Sequence, residues 1–89
     1  MNSVFLKAEV TKEVSIYPNP RSGVVTVDIA NGEILRELII QDIQGKNIFQ
    51  SNEIIDNRLN LNLNSSPGLY IVRMKFGTGK SVIRKLVIQ

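Results

Sequence analysis

Tyr17-Pro18-Asn19-Pro20-Arg21-Ser22-Gly23 is the stretch from which the fold can be read. Its two prolines cannot donate a backbone hydrogen bond, and each pushes the residue before it toward extended geometry. Ser22-Gly23 then offers a turn whose glycine is free to take positive φ. The segment therefore predicts a short strand, Val14 to Tyr17, that leaves a sheet edge and corners into the next strand. From there to the last residue the chain is strand and turn, repeated.

Val24 to Ile29 alternates with Val25, Val27 and Ile29 inward and Thr26 and Asp28 outward, the period of a half-buried strand. Asn31-Gly32 is a hairpin signal. Glu33 to Ile43 carries apolar residues partly at helical spacing. Its length, its Leu38-Ile39-Ile40 run and the turns on both sides instead predict a central strand buried on both faces in its middle. Gln44-Gly45 reads as a tight turn, and Lys46 to Phe49 as the returning partner. Arg58 to Asn64 is the cleanest alternation, with Leu59, Leu61 and Leu63 inward. After a turn at Ser65 to Gly68, Tyr70, Val72, Met74 and Phe76 share one face. Gly77-Thr78-Gly79 predicts the last hairpin, and Lys80 to Gln89 a final strand with Val82, Leu86 and Ile88 in phase. Six or seven short strands spaced in this way predict an all-β, immunoglobulin-like antiparallel β-sandwich. Residues 1–13 read as a linker remnant or a weak first strand, and 14–89 as the domain.

The chain of 89 residues is long enough for one core and too short for a deep substrate cavity beside it. It contains no cysteine and no histidine, which removes disulfides, thiolate metal sites, the usual zinc ligand and the middle member of a Ser-His-Asp triad. Asp28, Glu37 and Asp42 form no identifiable acid–base pair, so no enzyme, cofactor or metal is expected. No apolar run is long enough to span a membrane as a helix, and the first residues do not read as a secretory signal. Charge is polarised: residues 57–89 hold six Lys/Arg and no acid, while residues 1–56 hold five against all eight acids. A basic half invites a nucleic-acid reading. Its aromatics, Tyr70 and Phe76, are in phase with a buried face and cannot serve as stacking platforms, so no nucleic-acid partner is expected.

Four motifs in order carry a resemblance. Tyr17-Pro18-Asn19-Pro20 with Gly23, then Asp42-Ile43-Gln44-Gly45-Lys46, then Leu63 to Pro67-Gly68-Leu69-Tyr70, then a basic and aliphatic last strand, resemble the type A C-terminal sorting domain of type IX (Por) secretion cargo. The likeness covers residues 14–89. Lys46 stands where the family usually has arginine, Gln41 where tyrosine is frequent, and Lys85-Leu86-Val87-Ile88-Gln89 replaces a Lys-rich close.

The resemblance implies a non-catalytic address label at the end of a larger exported protein. Its partners would be the type IX machinery, including an outer-membrane translocon and a sortase-like peptidase, and the cargo portion preceding it. The peptidase would cut upstream of the first strand, after transit through the periplasm, and the cargo would be secreted or anchored at the surface of a Gram-negative cell. A missing signal peptide would then belong to the parent protein's own N-terminus. The candidate recognition residues are Pro18, Asn19, Pro20, Gly23, Gly45, Lys46, Gly68, Tyr70, Lys85, Leu86, Val87, Ile88 and Gln89, read by edge pairing of the last strand, with Lys80, Arg84 and Lys85 meeting acidic groups. Each motif residue also has a plain folding role: the prolines and Gly23 make a corner, and Tyr70 is a core aromatic with a polar tip. Two other readings stay open, a carbohydrate-binding or adhesion module and a weakly self-associating domain whose unprotected strand edges pair.

Overall fold

The computed structural model describes residues 13–19, 23–30, 32–63 and 65–89. Of residues 1–13, expected as a linker remnant or weak first strand, only Glu13 is described; residues 1–12, with Pro20, Arg21, Ser22, Asn31 and Asn64, lie outside the described residues. Seven strands form: β1 (Val14–Asn19), β2 (Val24–Ile29), β3 (Leu35–Asp42), β4 (Asn47–Ser51), β5 (Arg58–Asn62), β6 (Gly68–Phe76) and β7 (Ser81–Ile88). They make two antiparallel sheets, ordered β1-β2-β5 and β4-β3-β6-β7. No helix among the described residues is long and apolar enough to cross a membrane.

Alternation decides which residues meet between the sheets. Val14, Val25, Val27, Ile29 and Leu61 of the first sheet share one core with Leu38, Ile40, Val72, Met74, Phe76 and Leu86 of the second. Val27 and Ile40 are fully enclosed; burying a side chain of this size contributes about 1.5–3 kcal/mol. Outside this core, polar groups pair across strands. Thr26 Oγ1 donates to Asn60 Oδ1 over 2.7 Å, and Arg58 meets Asp28 at 3.3 Å. The outward row of β5 is thus engaged at Asn60 by its own sheet.

Four local readings change. β1 continues through Pro18 to Asn19, beyond the expected end at Tyr17, because an edge strand tolerates a proline that lacks a donor. Asn31-Gly32 does not join a hairpin: β2 is flanked by β1 and β5, and β3 belongs to the other sheet. A local reversal exists there, with Glu33 N–H donating to Ala30 O over 3.0 Å, but it carries the chain between sheets.

β3 is central, yet not buried on both faces. Leu38 and Ile40 are buried while Ile39 is half-buried on the outer side. A β-bulge inserts Arg36, since Leu35 opposes Phe76 and Glu37 opposes Lys75. The extra residue brings Leu35 and Leu38, three apart in sequence, to the same face, which accounts for the partly helical spacing. Finally, Arg84, expected with Lys80 and Lys85 to meet acidic groups, is half-buried and shares the inward row of β7 with Val82, Leu86 and Ile88.

Candidate functional site: one pole of the sandwich

Register brings the sequence motifs together. Across the second sheet, Asp42 of β3 opposes Tyr70 of β6, and Tyr70 opposes Leu86 of β7. Gly68 opposes Ile88 and Leu69 opposes Val87. The β3–β4 turn, the start of β6 and the end of β7 therefore lie at one end of that sheet. The corner between β1 and β2 lies at the same end, because Pro18, Gly23 and Val25 line one mostly apolar pocket of about 280 Å³ with Val87, Ile88 and Gln89. The first and last motifs, some sixty-odd positions apart in the chain, thus form a single concave surface.

Each motif is held by main-chain bonds. Gly23 has φ 74°, and its carbonyl accepts from Leu63 N–H over 3.2 Å, fastening the corner to the exit of β5. A side chain other than glycine would be strained at that φ. In the second motif, Asp42 Oδ1 accepts from both Gln44 N–H and Lys46 N–H, each over 2.9 Å. Gly45 N–H donates to Asp42 O, and Asp42 N–H to Lys46 O, both over 3.0 Å. Gly45 closes the turn at φ 87°. Lys46 is exposed, and its part in the turn is played by its backbone.

In the third motif Tyr70 is buried, and its hydroxyl donates to the carbonyl of Ser66 in the preceding turn. That is the polar outlet a buried tyrosine needs. The last motif divides by alternation: Lys85, Val87 and Gln89 are exposed, Ile88 is half-buried, and Leu86 is a core residue. Asn19 ends β1 opposite Val24. Pro20 is outside the described residues.

Two contributors are not among the residues expected from the sequence. Asp42 is the acceptor that organises the second turn; the D-x-x-G-K spacing showed it, since a short carboxylate two residues before a turn's N–H groups is a recurrent turn former. Gln41 is the other, accepting from Arg73 Nε over 2.9 Å and donating to Asn47 Oδ1 over 2.8 Å on the outer face. No signal along the chain marks that contact.

The opposite pole is built around Glu13. Its carboxylate is buried and accepts a hydrogen bond from Lys80, at the β6–β7 hairpin. That bond, chiefly, holds the Glu13 carboxyl below its ordinary range and raises Lys80 above its own. Ala30 N–H also donates to Glu13 O over 2.9 Å, so the start of β1 is tied to both sheets.

Among the described residues no cluster of acidic side chains could hold a metal ion. The pole with the four motifs offers shape, apolar surface and a strand edge. Residues 15–89 match the family described as the secretion system C-terminal sorting domain. Comparison with curated proteins finds no match.

Proposed function

The chain belongs to the family of secretion system C-terminal sorting domains, and from that premise we propose that the pole carrying its four motifs is the surface read during export. Membership makes it a sorting signal of type IX secretion, and the protein that carries it is destined for the cell surface or the medium. In the fuller reading, residues 14–89 are the sorting domain and residues 1–13 a linker remnant or weak first strand that follows the cargo. An outer-membrane translocon passes the cargo from the periplasm, and a sortase-like peptidase cuts ahead of β1 and anchors the cargo.

One observation supports the choice of pole above all. Pro18 and Gly23 share a pocket with Val87, Ile88 and Gln89, so the first motif and the last can be read by one contact. Edge pairing suits the last strand, because β7 lies at the margin of its sheet and pairs only with β6 among the described residues. An added strand gains main-chain hydrogen bonds there, and alternate side chains set its identity. Lys85, exposed on the outer row, steers an acidic partner.

The test is an export assay. Residues 1–89 are fused behind a reporter with an N-terminal export signal, in cells with and without a working type IX system. Truncation of Leu86–Gln89 alone is ambiguous, because Leu86 is only 2% exposed and its loss opens the core. Lys85→Glu with Val87→Asp changes two exposed positions and leaves the core intact. The expected result is surface or secreted reporter only with the native domain and intact machinery, and a marked loss with the double variant. Undiminished export of the folded double variant would refute the assignment of the pole, and so would full secretion after the truncation.

A further inference from the structure

Arg84 is the one inward-facing cation of β7. It sits in the row of Val82, Leu86 and Ile88, and its Nη2 is buried with no hydrogen-bond partner among the described residues. Glu13 is near enough for the two charges to interact, but its carboxylate accepts its hydrogen bond from Lys80. A buried guanidinium nitrogen without an acceptor carries a desolvation cost that any new acceptor relieves. Its location sharpens the point. β7 is an edge strand, and a charge pointing inward on an edge strand is a known obstacle to indiscriminate strand addition. A strand laid against β7 with an apolar residue opposite Arg84 leaves the cation unpaired. One that brings a carboxylate there removes the obstacle.

Resting on the edge-pairing reading above, we propose that β7 takes up an extended segment of a partner protein whose inward row reads apolar, carboxylate, apolar, with the carboxylate paired to Arg84. Directly opposed side chains on adjacent strands lie about 5 Å apart at Cβ, within a guanidinium's reach, and the fork geometry favours a carboxylate over a neutral amide. The flanking apolar positions fall beside Val82 and Leu86, two residues away on either side of Arg84, and cover the half-buried Val82. Arg84 thereby fixes register: a slip of one residue turns the carboxylate to the outer face and leaves the cation alone. A second copy of this chain is the wrong occupant, because two β7 edges paired about Arg84 would bring cation against cation.

The test uses the whole chain and two synthetic peptides of about nine residues, one strand's length. Both alternate valine and threonine; one has glutamate at the central valine position and the other glutamine. Backbone amide shifts of Ser81–Ile88 report where they bind, and titration gives the affinity. The glutamate peptide is expected to shift β7 amides and to bind about tenfold more tightly than its counterpart. Arg84→Gln abolishes that preference, while Lys75→Gln, an exposed cation on the outer row of β6, preserves it. Since the peptide pair reads the native chain, the result does not depend on the Arg84 variant folding. Equal affinities accompanied by β7 shifts would overturn the role of Arg84 and leave edge pairing standing. Absence of β7 shifts with either peptide would overturn both.

Discussion

Replacing Asp42 by alanine tests whether the second motif is a folding device. The carboxylate holds two backbone N–H groups, those of Gln44 and Lys46, at 2.9 Å each. Bonds to a charged acceptor contribute about 1.5–3 kcal/mol when the donors would otherwise stay dry. Gln44 and Lys46 are exposed, so water replaces the lost acceptor, and the two bonds together are worth about 1–2 kcal/mol, as for a helix cap. For a domain of this size that lowers Tm by roughly 5–15 °C. Gly45→Ala strains the same turn by another route: a Cβ there meets nothing within 4 Å, so the cost is purely the φ of 87°, about 1–2 kcal/mol. Because both changes loosen one turn, the double variant should lose less than the sum, by about 0.5–1 kcal/mol. Urea denaturation of the four proteins measures all three quantities. A loss below about 0.3 kcal/mol for Asp42→Ala, or strict additivity, would refute the claim that this carboxylate builds the turn.

Other consequences are as direct. Tyr70→Phe removes the bond to Ser66 O and keeps the ring, so urea denaturation should register a loss of about 1 kcal/mol. Leu86→Ala, at 2% exposure, should cost about 2–5 kcal/mol by the same measurement, whereas Val87→Thr, more than half exposed, should be nearly neutral. The Glu13–Lys80 bond sets a pH dependence. Glu13's carboxyl is held below its ordinary value of 4.5, so its contribution is present above that value and lost as pH falls through the folded one. Lys80's is raised above 10.5, so its contribution is present below that value and lost as pH rises through the folded one. Acid titration followed by circular dichroism should show an unfolding step in the native chain that is smaller in Glu13→Gln.

The strands that alternate strictly were legible in the chain. Val25, Val27 and Ile29, the leucines of β5 and the Tyr70–Phe76 row all fall on the side their period assigns. β3 was legible as a central strand in spite of its partly helical spacing, which the bulge at Arg36 explains; its burial on both faces was not, since Ile39 is half-buried. Asn31-Gly32 misled as a hairpin signal. Turn residues specify a bend, while the sheet that the next strand joins depends on which edges distant strands have already taken. Arg84 was grouped with Lys80 and Lys85 by its charge, whereas its period puts it in the inward row of β7. Of the site, three motifs were visible as separate turns and the fourth as the last strand. The last three meet at one end through the register of β6 with both its neighbours, the first joins them through packing between the sheets, and both arise from contacts between residues far apart along the chain.

The tie between Glu13 and the β6–β7 hairpin has a mechanical consequence. β1 runs from that pole to the opposite one, with all six residues paired to β2. A force applied to β1 along its own axis loads its cross-strand bonds together in shear, so they cannot open one at a time like a zipper. The Glu13 side chain, clamped by Lys80, passes part of that load straight into the second sheet. A strand fastened in this way bears a load along its length without peeling away from the end at which it is held.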